Sequence, residues 1–217
     1  MAIIPATDKV YMVREDVNTT YGGSAALNVM QQWYTMQDII DTIGFISYSG
    51  GVYAQTALGN PIAFASGEAS LIGTGVGTLS IPANTLQVGD SFAARLCGNL
   101  TCANNQSIHI RIKSDGNVIA DTGVFVLSTA TGKFFELIID FTITKIGGLG
   151  VGELFVNGQF SYNKNANNIF EGTNFALIDS TDFDTTTVNS LSITAEWVTN
   201  NAANVIRSQN FVLTRTY

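Results

Sequence analysis

Carboxylates offer the first place to look for chemistry. Glu136 and Asp140 stand four residues apart in a run where apolar and polar residues alternate. On one face of a strand that spacing separates them by about 13 Å, at about 3.3 Å of rise per residue. Glycosidase carboxyls lie about 5–5.5 Å apart in retaining enzymes and about 6.5–9.5 Å apart in inverting ones. Within a single strand the two therefore fail as a hydrolytic pair. His109 is the one histidine of the chain, so a Ser-His-Asp or Cys-His arrangement would have to use it. It stands between Ile108 and Ile110 on the same side as Arg111 and Lys113, which reads as a solvated or interface stripe. No G-x-S-x-G elbow accompanies it. The sequence is read as that of a non-enzyme.

Metal and cofactor signals are equally thin. Asp179, Asp182 and Asp184 in DSTDFD gather three carboxylates within six residues, which calcium could use if carbonyls completed its shell. The spacing is not that of an EF-hand loop, so solvated loop acids are the preferred reading and calcium the open alternative. Cys97 and Cys102 flank GNLT; free thiols are preferred, with a disulfide across a hairpin as the alternative. Two cysteines and one histidine cannot by themselves fill a tetrahedral zinc site. GGLGVG at 147–152 opens no helix and sits in no βαβ unit, so it is a loop and not a phosphate cradle. No cofactor is expected.

Composition narrows the class. The chain has 217 residues, 46% hydrophobic but only 12% charged, with a net charge of −7. Charged residues usually make up about 25% of a soluble domain. Solvation is left to Thr, Asn, Ser and Gly, residues of pleated surfaces and turns. Sparse charge also suits a chain that meets copies of itself, because interface cores are depleted of charge. Ten scattered basic residues do not make a nucleic-acid surface. No run of eighteen apolar residues marks a membrane span, and the first sixteen residues lack the basic-then-apolar pattern of a signal peptide. Neither nucleic acid nor membrane is expected as a partner.

Strands must position whatever the chain does. In residues 107–113, Ile108, Ile110 and Ile112 alternate with His109, Arg111 and Lys113, the period of a half-buried strand. Asp115-Gly116 follows, a strong two-residue hairpin signal. Residues 133–146 form the longest run, with Phe135, Leu137, Ile139, Phe141 and Ile143 on one side, after a STATG loop at 128–132. Asn157-Gly158 is expected to be a second hairpin turn, and 163–174 a long polar loop. Residues 191–198 and 210–217 supply the last strands, the final one tied into a sheet centre. Nine or ten short strands with long crossing loops predict an all-β antiparallel sandwich, a jelly roll by first choice.

Residues 1–45 differ. Ser24 could cap a short helix over AALNVMQQ, and Thr35-Met36-Gln37-Asp38 fits a capping box. Met36, Ile39, Ile40 and Ile43 then fall at i, i+3, i+4 and i+7, with Gly44 as the stop. Two turns are too few to stand alone, since isolated helices become marginal only at about 12–15 residues. The stripe must pack on its own domain, on a sibling chain or on a larger particle. The expected organisation is an anchoring arm with short helices at 1–45, whose attachment interface is Met36, Ile39, Ile40 and Ile43, and a β domain at 46–217.

Three segments carry a resemblance: GTLSIPANTLQVGDSFAARLCGNLT, SIHIRIKSDGNVIADTG and the terminal SLSITAEWVTNNAANVIRSQNFVLTRTY. Together they resemble the jelly-roll heads of structural proteins of tailed bacteriophages. The arm segments DKVYMVREDVNTTYGGSAAL and YTMQDIIDTI are similar to the short helical stretch before such heads. The resemblance implies a virion component: a capsid decoration, head-fibre or tail-fibre head protein with tumour-necrosis-factor-like packing. Homotrimers would then be expected, attached to the major capsid protein or another virion protein. It transfers no functional residues. The competing class is a lectin-like head that binds host-surface carbohydrate, for which exposed aromatics are sought at Tyr162 and Phe170.

Overall fold

Alternation builds the architecture. The computed structural model describes residues 50–177 and 182–217, so Met36, Ile39, Ile40, Ile43 and the expected helices lie outside the described residues. The strands are β1 (Gly50–Gln55), β2 (Ile62–Ala63), β3 (Ala69–Ser70), β4 (Gly75–Gly77) and β5 (Ser80–Ile81). Then come β6 (Ser91–Cys102), β7 (Gln106–Ser114), β8 (Asn117–Leu127) and β9 (Ala130–Lys145). The last are β10 (Glu153–Asn163), β11 (Phe170–Leu177), β12 (Asn189–Trp197) and β13 (Val205–Arg215). Among the described residues the helical pieces are three-residue 3-10 turns at Phe64–Ser66 and Ala166–Asn168.

Two antiparallel sheets face each other. The larger has the order β11-β10-β9-β6-β13-β1-β4, with β2 on β13; the smaller has β3-β12-β7-β8, with β5 on β12. This is the expected all-β antiparallel sandwich. The short strands β2 to β6 alternate between the sheets, and thereafter the chain crosses from β6 to β7, β8 to β9, β11 to β12 and β12 to β13. The hairpin β7–β8 and the meander β9–β10–β11 each stay within one sheet.

The core is the sum of the inward faces. Ile108, Ile110 and Ile112 of β7 meet Phe135, Leu137 and Ile139 of β9 in one fully buried cluster, joined by Ile193, Ala195 and Trp197 of β12. Each such aliphatic or aromatic side chain contributes about 1.5–3 kcal/mol by leaving water. Asp115 (φ 47°) and Gly116 (φ 86°) both adopt the left-handed backbone that a type I′ turn needs. Strand β13 lies between β6 and β1 at the centre of the larger sheet, as expected, though its ladder ends at Arg215.

Three expectations are corrected. Asn157-Gly158 is no turn: it sits inside β10, with Gly158 paired to Ile139 on one side and Phe175 on the other. Neighbouring strands satisfy the backbone there, and a Cβ on Gly158 would fall 2.0 Å from the Phe175 ring. Space, not turn geometry, calls for that glycine. The long polar loop shrinks to 164–169, because residues 170–177 pair with β10 as β11. The STATG loop shrinks to Ser128-Thr129, since β9 begins at Ala130. Cys97 and Cys102 are both free, the preferred reading, and stand five residues apart on the single strand β6, so the alternative of a disulfide across a hairpin is not met.

Candidate functional site

The candidate carboxylates and the histidine do not converge. Glu136 lies on the outer face of the larger sheet and pairs with Arg95 of β6. Asp140 shares that face, but its side chain is exposed and makes no hydrogen bond or ion pair to the described residues. His109, on the outer face of the smaller sheet, places Nε2 3.3 Å from Asp121 Oδ1, within ion-pair reach but out of hydrogen-bond alignment. Arg111 Nη1 contacts Glu68 Oε2 at 3.0 Å and Glu196 Oε2 at 2.8 Å. Lys113 also pairs with Glu68, and Thr194 Oγ1 donates to Glu68 Oε1 at 2.6 Å. The Lys113 and Thr194 hydrogen bonds hold the Glu68 carboxyl below its ordinary range. The expected solvated stripe is thus a half-buried, charge-compensated ladder that fastens β3, β7 and β12 together.

The acidic loop has a local structural role. Asp184 Oδ1 accepts from the Thr186 amide at 2.8 Å and from its hydroxyl at 2.6 Å, which lowers the Asp184 pKa. Asp179 lies outside the described residues. Among the described residues no group of three His, Cys, Asp or Glu side chains could hold a metal ion.

The two ends of the sandwich differ. One end gathers the turn before β6, the β9–β10 loop, the segment before β12 and the residues after β13. Backbone bonds join them: Gly89 N–H to Ile143 O, Thr185 N–H to Gly147 O, and Ser91 N–H to Tyr217 O. Exposed there are Val88, Ile146, Leu149, Val151, Val188 and Tyr217. Gly50 pairs with Arg215, so the chain preceding β1 joins the sandwich at this same end. The opposite end carries the β6–β7, β10–β11 and β12–β13 connections. Asn104, Asn105, Asn165, Asn167 and Asn200 are exposed on them, with Ile169 and Val198 set among these amides.

A third feature lies on the outer face of β9, β10 and β11. Cross-strand register sets Asn157 beside Asp140, and Gln159 between Ile138 and Asn174. A shallow groove of ≈ 520 Å³ runs over Ile138, Asp140, Asn157, Gln159 and Asn174. It continues, through Gln159 and Asn174, into a second hollow of ≈ 260 Å³ beside Ser161 and Phe170. Phe155 and Phe170 are exposed at its two ends. Tyr162, sought as an exposed aromatic, is fully buried instead. Its hydroxyl donates to Glu171 Oε2 at 2.7 Å and accepts the Ser128 amide at 2.7 Å. Alternation in 153–162 marks Phe155, Asn157 and Gln159 as outward neighbours. Their meeting with Asp140 and Asn174 depends on strand register, which no local pattern in the sequence encodes.

Neither a protein-family model nor a curated protein matches this sequence.

Proposed function

We propose that this chain is a structural component of a virus particle, a homotrimeric capsid decoration or head-fibre protein attached through its N-terminal arm. One observation carries the attachment: the chain before Gly50 joins the sandwich at the end where Val88, Ile146, Leu149, Val151 and Val188 are exposed. Apolar side chains held on a tied set of loops favour a protein surface over water. The Asn-rich opposite end suits solvent. Low overall charge supports contact between copies, and cyclic closure of three copies leaves no open interface. The viral setting rests on the resemblance of the strand patterns to phage jelly-roll heads.

Removal of residues 1–45 tests the proposal. The intact chain is expected to scatter light as a particle about three times its 23.2 kDa mass and to bind virus particles that lack it. The shortened chain is expected to keep its melting transition and its trimeric mass but lose particle binding. A monomeric intact chain would contradict the trimer, and a shortened chain that still binds would contradict the anchor.

A further inference from the structure

We infer that the outer face of β9, β10 and β11 is a binding site for a neutral oligosaccharide laid along β10. The first ground is uncommitted polarity. Several polar side chains elsewhere on this sheet face are engaged: Arg95 with Glu136, Ser91 with Thr142, Asn99 with the Gly132 carbonyl. Asp140, Asn157, Gln159 and Asn174 adjoin one another on three strands, yet none of their side chains makes a hydrogen bond or ion pair to the described residues. Three amides and one carboxylate offer donors and acceptors side by side, which matches hydroxyl groups that both give and take hydrogen bonds.

Charge and shape select among ligands. The groove carries the Asp140 carboxylate, the second hollow adds that of Glu171, which Tyr162 already bonds, and neither is lined by a cation, so phosphate, nucleic acid and acidic chains are disfavoured. A single uncommitted carboxylate is too few for a calcium shell. The lining joins Ile138 and Ala176 to the polar groups, giving apolar surface for the C–H face of a sugar ring. Phe155 and Phe170 flank the groove at opposite ends. Phe170 pairs with Asn163, eight residues beyond Phe155 on β10, a span of about 26 Å at about 3.3 Å per residue. A chain of several sugar units fits that length, and a monosaccharide would leave most of it empty. The site lies on the flank of the sandwich and shares no residue with the apolar end, so it stands apart from the attachment proposed above.

The test uses the full chain and a panel of neutral linear hexasaccharides: cellohexaose, maltohexaose, mannohexaose and a galactan hexamer. Calorimetry of the unmodified protein is expected to give saturable binding to at least one. Asp140→Ala combined with Asn157→Ala is expected to weaken that binding at least tenfold, and Phe170→Ala to weaken it severalfold. Because all three side chains are exposed, melting temperatures should stay unchanged, and Asn200→Ala at the far loops should bind as the parent does. Absence of binding to every hexasaccharide overturns the inference, as does binding that survives the double substitution. If the double variant instead changes the oligomeric mass, the face is a contact between copies and the glycan site is wrong. Particle binding by the same variants should be unaffected, which keeps failure here separate from failure of the attachment.

Discussion

Tyr162 illustrates how one buried hydroxyl can fasten three pieces of chain. It sits on β10, donates a hydrogen bond to Glu171 of β11 and accepts one from the amide of Ser128 between β8 and β9. Burial, and then the Glu171 hydrogen bond, push its pKa well above the ordinary tyrosine value. The same bond pulls the Glu171 carboxyl below its ordinary range. Replacing Tyr162 with Phe strands the Ser128 N–H and should cost about 1–3 kcal/mol. In a domain of this size that is roughly 2–4 °C of melting temperature per kcal/mol. The pH dependence is more diagnostic. A raised tyrosine pKa means the folded state holds a proton that the unfolded state releases, so stability falls as pH rises above about 10. A lowered carboxyl pKa gives stability present above about pH 4.5 and lost as pH falls below it. Melting curves of Tyr162→Phe from pH 3 to 11 should be flatter than the parent's at both limbs. Equal limbs in both proteins would show that the hydroxyl carries neither. Alternation through 153–162 turns Tyr162 to the side opposite Phe155, Asn157 and Gln159, but nothing local announces its hydrogen bonds, because its partners arrive from residues 128 and 171.

At the scale of elements, local chemistry was legible wherever one strand decided its own fate. The alternation of Ile108, Ile110 and Ile112 and of Phe135 through Ile143 marked inward faces correctly, and Asp115-Gly116 turned as its residue types require. Reading failed where a neighbour decided. Asn157-Gly158 has turn chemistry but is enclosed by β9 and β11, whose ladders outweigh a two-residue preference. FEGTNFAL looks like a loop because, as a sheet edge, β11 turns Gly172, Asn174 and Ala176 outward and needs little apolar sequence. These assignments separate two substitutions at adjacent positions. Asn157→Ala removes an exposed strand side chain and should change stability by no more than about 0.5 kcal/mol. Gly158→Val must displace the Phe175 ring, which packs against the core, and should cost about 1–3 kcal/mol as an overpacked site. Chemical denaturation of the two proteins measures both. If Asn157→Ala proved the more damaging, a turn would have to be restored there.

At the scale of the molecule, a sandwich with unlike ends has an orientation. Its apolar end combines the exposed loop side chains with the point where the preceding chain joins at Gly50, while the far end is dressed with asparagine. Candidate docking residues on the described chain were hidden in the sequence, since Val88, Leu149 and Val188 stand in separate segments and only pairing between β6, β9 and β13 assembles them. Nor could the stripe of Met36, Ile39, Ile40 and Ile43 reveal them, because it belongs to a different part of the chain. If the end bears on a particle, charge placed there should weaken the contact without touching the fold. Leu149→Glu with Val88→Glu alters two exposed side chains, so the melting temperature should shift by no more than the equivalent of about 1 kcal/mol. Particle binding should fall at least tenfold, because a carboxylate buried against an apolar partner loses its water with no compensating charge. Ile169→Glu with Val198→Glu provides the control at the opposite end, where binding should be retained. Equal loss from both pairs would mean that the ends are not distinguished in assembly. Retained binding in the first pair would leave the arm alone, without the sandwich end, as the means of attachment.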